Sequence, residues 1–157
     1  TGAFARVCLA AGALDRILEM AIEHVNTREQ FGRPLGKFQA VQQSLAILAV
    51  EAAAVNSAGA GAALALDQGD GSFEIAAAKL RTNMAIGSGT AIAHQVHGAI
   101  GFTQEYPLHH FTRRLNRWRM ECGNDRYWSE KLGAQVAALG ADGLWTEITR
   151  RSDRATS

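Results

Sequence analysis

The chain has 157 residues, 47% of them hydrophobic and 20% charged, with a formal net charge of +1. That length is one domain, and that apolar content supports a packed core and excludes a disordered chain. The near-neutral balance leaves no overall basic excess for nucleic acid or for an anionic membrane surface.

Cys8 and Cys122 are the only cysteines, far apart and without metal-ligand spacing. Two lone thiols fit a reducing compartment, and no basic region precedes an N-terminal apolar stretch, so a cytoplasmic location is expected. Charges interrupt the longest apolar runs, so no membrane span is expected. Opening on Thr1 straight into a helical pattern is what a processed or excised piece would look like.

In chain order, Phe4, Val7, Leu9, Leu14, Ile17, Leu18, Ala21, Ile22 and Val25 follow the i, i+3, i+4, i+7 template of a first helix. Gly32 and Pro34 end it. A second helix is predicted over 37–66, with Leu45, Leu48, Ala49, Ala52 and Val55 as its apolar stripe. The run Asp67-Gln-Gly-Asp-Gly-Ser72 reads as a loop with Ser72 as N-cap. A third helix is predicted over 73–96, with Ile75, Ala78, Leu80, Met84 and Ile86 inside. Pro107 suits the first turn of a fourth helix carrying His109 to Arg119. A further helical segment covers 126–139, and 142–157 reads as a short terminal helix and polar tail. No alternating strand pattern occurs. The expected fold is all-α: an up-and-down bundle of four main helices with one or two shorter ones, the bundle covering 1–140.

Two polar interruptions stand out. Arg28-Glu-Gln-Phe-Gly-Arg-Pro-Leu-Gly-Lys-Phe-Gln39 places a cation, a ring and an amide between two helices. It reads either as a helix end with a cation on its dipole and a core Phe, or as a contact for a polar ligand. In the second reading Arg28 pairs with a phosphate through its planar fork, Phe31 packs on a ring and Gln39 bonds a polar edge. The second interruption runs from Gln95 to Pro107. Its Gly98 and Gly101 serve either a helix C-cap or close approach to a ligand. His94, His97, His109 and His110 lack a carboxylate or cysteine to complete a metal set. Arg113, Arg114, Arg117 and Arg119 read as a solvated or subunit-facing surface. Glu121, just before Cys122 and Gly123, is either an ordinary helix end or a general base over a pocket.

Together these pieces resemble the C-terminal helical domain of the acyl-CoA dehydrogenase family. The matching residues are Leu9-Ala-Ala-Gly12, Arg28-Glu-Gln-Phe-Gly32, Phe38-Gln39, Gln95-Val-His-Gly-Ala99 and Gly101-Phe-Thr-Gln-Glu-Tyr-Pro107. The resemblance implies a flavoenzyme that desaturates acyl-CoA thioesters, with an electron-transfer flavoprotein as acceptor. It implies FAD contacts from Arg28, Gln30, Phe31, Gln39, Gln95, Val96, His97, Gly98 and Ala99, reaching a neighbouring subunit's cofactor in a homo- or hetero-oligomer. Arg6 matches a family arginine near the acyl-CoA. Two departures count. The position usual for the catalytic glutamate holds Cys122, and the alternative position on the first helix holds Ala5. Glu121, one residue early, is the expected base. The alternative is a non-catalytic, FAD-clamping subunit of a heteromeric dehydrogenase. An isolated 157-residue domain is expected to be inactive and to hold FAD weakly or not at all. Ala3, Ala5 and Ala10 hint at room for a bulky acyl group.

Overall fold

The computed structural model describes residues 2–98, 101, 103 and 105–153, with side chains to 151. Five helices account for most of it: α1 (Gly2–Thr27), α2 (Gln39–Asp67), α3 (Ser72–His97), α4 (Leu108–Met120) and α5 (Asp125–Asp153). The first three pack on one another, α4 lies against α1 and α3, and α5 lies against α3. Gly140 (φ 70°, ψ 172°) is non-helical and kinks α5, so its two halves are separate rods.

The main core lies where α1, α2 and α3 meet. Leu14, Ile17 and Met20 from α1, Leu48 and Val55 from α2, Ile86 from α3, and Leu108 and Leu115 from α4 are among its largest fully buried apolar side chains. Small residues set the spacing. A Cβ at Gly89 would stand 3.1 Å from Leu14 Cδ2 and 3.3 Å from Leu48 Cδ1, so the bare position lets α3 approach closely without those leucines having to give way. A second cluster around Val7, Ala62, Ile75 and Trp128 joins α5 to the α1 N-terminus. Ala10, expected to border a pocket, is instead fully buried in the main core.

Several expectations are corrected. Leu9, Ile22 and Met84 fall outside the buried faces, because the 3.6-residue stripe rotates away from them. Ser72 is the first residue of α3 rather than its cap. Asp70 Oδ1 instead accepts from the Ser72 amide (3.1 Å) and hydroxyl (2.8 Å), closing the turn. A small hairpin was not foreseen: β1 (Glu29–Gln30) pairs antiparallel with β2 (Arg33–Pro34). Its tip residues Phe31 (φ 53°) and Gly32 (φ 78°) are both left-handed, the geometry of a tight hairpin turn. By length and composition α2 is apolar enough to cross a membrane, contrary to the expectation from interrupting charges; here Leu48, Ala52 and Val55 pack it into the bundle.

Leu14→Ala should cost about 3 kcal/mol in chemical denaturation. Adding Gly89→Ala, whose methyl enters the vacated space, should recover part of that loss, whereas Gly89→Ala alone should be neutral or destabilising.

Candidate functional site

Two cavities stand at opposite ends of α1. At its C-terminal end, His24, Arg28 and Gln30 face Gln95, Val96, His97 and Gly98 at the end of α3. Leu35 and the first turns of α2 (Ala40, Val41, Ser44) complete a solvent-open cleft of 430 Å³. The local sequence explains the shape. The Arg28 amide closes the last turn on His24 O (2.8 Å), and Arg28 O accepts from the Leu35 amide (2.8 Å) across the hairpin. The chain therefore leaves α1 and re-enters α2 beside the same cleft. Gln42 Nε2 secures the connection by donating to Gly36 O (2.9 Å).

The wall behind the cleft is a ring cluster. His24 stacks on His97, centroids 4.7 Å apart, and Tyr106 packs 5.1 Å from His97. His97 is 4% exposed; its Nδ1 meets Ala93 O at 2.7 Å and its Nε2 meets the Tyr106 hydroxyl at 3.2 Å. Nearby, His94 Nε2 meets Thr112 Oγ1 at 2.8 Å. Burial pushes the His24, His94 and His97 pKa values below the ordinary histidine range, helped for His24 and His94 by the neighbouring His97.

The cleft suits an anionic, partly aromatic ligand. Arg28 has no carboxylate within ion-pair distance among the described residues. The α2 N-terminus, which has no side-chain cap, opens on the same rim through Ala40 and Val41. Gly98 has φ 62°, and no described residue lies within 4 Å of where a Cβ would stand, so on that side its backbone is open to close approach. Of the residues predicted for a cofactor, the structure thus gathers Arg28, Gln30, Gln95, Val96, His97 and Gly98. Phe31 (88% exposed) and Gln39 do not line the cleft, and Ala99 lies outside the described residues. His24 was missed, although its i, i+4 spacing from Arg28 puts it on the same face.

At the other end of α1, a shallow cavity of 590 Å³ is lined by Gly2, Ala3, Met120, Cys122, Gly123, Asn124, Tyr127 and Trp128. Glu121 stands beside it but does not line it. Its Oε2 accepts from Arg6 Nε (2.5 Å) and its Oε1 from Arg117 Nε (2.7 Å). Arg6 first, then Arg117, holds the Glu121 carboxyl below the usual carboxylate range. The expected base and the expected substrate arginine are therefore paired with each other. Cys122 reaches the cavity because its own φ of 57° and the Gly123 φ of 102° turn the chain sharply after α4. A side chain at Gly123 would strike the Trp128 and Tyr127 rings. Ala5 is exposed on α1, and Arg119, expected on a solvated face, instead pairs with Asp125 and covers Gly87.

Sequence reasoning also passed over Lys79. It is 1% exposed on the buried face of α3 and donates to Asn83 Oδ1 (2.6 Å), Trp118 O (3.1 Å), Arg119 O (3.3 Å) and Gly123 O (3.0 Å). Its position on the stripe Ile75, Lys79, Thr82, Ile86 was the available signal.

Residues 2–136 match the acyl-CoA dehydrogenase C-terminal domain. The chain belongs to the acyl-CoA dehydrogenase family. It is 35% identical over 124 residues to glutaryl-CoA dehydrogenase of Desulfococcus multivorans, covering 76% of this chain and 32% of that protein. Among solved structures it is similar to the ChsE4–ChsE5 complex from Mycobacterium tuberculosis, with TM-score 0.78, 25% identity, and coverage of 89% of this chain and 38% of that one. It is also similar to the FAD complex of PigA, with TM-score 0.78, 26% identity, and coverage of 85% and 35%. The chain thus spans about a third of the length of these proteins.

The three histidines make a pH prediction. The unfolded chain takes up protons near 6.5, the folded chain only at lower pH, so folding stability is complete above 6.5 and is lost as pH falls below it. The urea midpoint should drop between pH 7.5 and pH 5.5, and His24→Gln should shrink that drop.

Proposed function

We propose that this chain is the C-terminal domain of an FAD-dependent acyl-CoA dehydrogenase, in which it holds the cofactor and builds the subunit interface. The observation that carries this is the convergence of two distant segments, Arg28–Gln30 and Gln95–Gly98, on one cleft. When bound, the flavin supplies hydride acceptance from the β carbon of the acyl thioester. The chain's own residues bind and orient. Arg28 offers a two-pronged donor to the pyrophosphate, Gln95 and the bare Gly98 backbone meet the nucleotide edge, and His24 on His97 gives an apolar ring wall. Phe31 and Gln39, directed outward, suit contacts made across a subunit boundary.

The two cavities support the idea that the cofactor belongs to a neighbour. Ala3 and His24 are 21 residues apart on one helix, roughly 30 Å. That separation suits a reading in which the cleft and the Cys122 cavity serve different active sites of an oligomer. The ChsE4–ChsE5 assembly is a related protein built from two kinds of chain. The substrate class in this reading is an acyl-CoA thioester, and the electron acceptor an electron-transfer flavoprotein.

In this reading Glu121, which does not line the cavity, takes the α proton only after the 121–124 turn shifts and an acyl-CoA draws Arg6 away from it. The paired state in the structure is too weakly basic for that task, because two guanidinium groups stabilise the carboxylate. This same pairing favours a second reading, in which the chain clamps FAD for a partner and removes no proton itself.

The full-length protein should purify yellow and bleach anaerobically on addition of an acyl-CoA. Glu121→Gln should lower turnover about 100-fold or more if Glu121 is the base. Undiminished turnover with full flavin content would rule out that role and select the clamping reading. A colourless full-length protein would count against both.

A further inference from the structure

The turn after α4 is pinned at several points beside the Cys122 cavity. Cys122 O accepts from Trp128 Nε1 (3.1 Å). Gly123 O accepts from Lys79 Nζ (3.0 Å) and from Asn83 Nδ2 (3.3 Å). Asn124 Oδ1 accepts from the Tyr127 amide (3.0 Å). Within this set Lys79 alone joins the turn to the end of α4, through Trp118 O and Arg119 O. Its ammonium sits where the carbonyl groups of a helix C-terminus concentrate partial negative charge.

We propose that Lys79 is the positioning residue of the 121–124 turn: a buried ammonium gathers the last α4 carbonyls and Gly123 O into one fixed arrangement, aiming position 122 into the cavity and position 121 at Arg6. The inference rests on the reading of this turn as the substrate end of the domain. It explains why a cation is kept at a fully buried place. Burial pushes the Lys79 pKa down to about 8, against the pull of the nearby Cys122, Asp125 and Glu121, with Arg6 adding to the lowering. A charge held at that cost adds little to the fold that an apolar side chain would not add. What an apolar side chain lacks is three donors directed at carbonyl oxygens from two segments. In a protein built for stability alone Met would serve; in one that must hold a strained, left-handed Cys122 it would not.

The test uses the full-length flavoprotein carrying Lys79→Met. Deuterium uptake should rise in peptides covering residues 118–125 while α1, α2 and the rest of α3 keep their protection. Flavin content and melting temperature should stay close to those of the parent. Turnover should fall about tenfold in kcat, with a smaller change in KM. Exchange that is unaltered over 118–125, or lost throughout the bundle, overturns the proposal. So does a local rise in exchange with kcat unchanged. If Lys79→Met fails to fold, Asn83→Ala decides by the same exchange measurement, because it removes one bond to Gly123 O and the shortest partner of Lys79. The exchange measurement needs no turnover, so a protein that proves not to be a dehydrogenase still answers whether Lys79 holds the turn.

Discussion

The stack of His24 on His97 is the contact on which the cleft depends. It joins the end of α1 to the end of α3 at 4.7 Å between ring centroids. Much of the cleft's chemistry hangs from those two helix ends: Arg28 one turn past His24, and Gln95, Val96 and Gly98 around His97. The stack is possible because the helices approach closely lower down, where Gly89 meets Leu14 and Leu48 without a Cβ. Close helix packing and ligand geometry are thus one problem. A change that pushed α3 away from α1 would open the cleft as surely as removing Arg28.

The fold was largely legible in the sequence because long helices advertise themselves by repetition. Apolar residues at helical spacing located α1 to α4, and Gly and Pro marked the breaks. The misses have physical causes. Ala is so frequent that the stripe could not fix its own rotation, so Leu9, Ile22 and Met84 were assigned inward and lie outward. The hairpin at 29–34 has only two residues per strand, too few for alternation to show. For the cleft, chemistry-bearing residues were visible but their meeting was not, since Arg28 and Gln95 touch the same space only through tertiary packing. The family resemblance supplied what periodicity could not.

The base end was less legible, and the reason is local. A single left-handed residue decides which side chain enters the cavity. Cys122 takes that conformation, so it faces inward and Glu121 is left to Arg6 and Arg117. Counting along the chain fixes neighbours in sequence to one residue, yet a turn of this kind sends adjacent side chains in different directions. Lys79 holds that turn and was overlooked because a lysine amid alanines reads as solvated surface. The domain therefore shows two unequal ends: a cleft whose cation has no carboxylate within ion-pair distance among the described residues, and a turn whose nearby carboxylates, Glu121 and Asp125, are already paired with arginines.

The central claim is that Arg28 and the Gln95–Gly98 segment hold a flavin dinucleotide. The most direct measurement is the FAD dissociation constant of the full-length apoprotein with and without Arg28→Ala. Loss of a charge-assisted contact should weaken binding about tenfold, equivalent to about 1.4 kcal/mol, at fixed salt. Lys131→Ala, remote from the cleft, should leave affinity unchanged. Equal affinity for FAD in the Arg28→Ala and parent proteins would contradict the account.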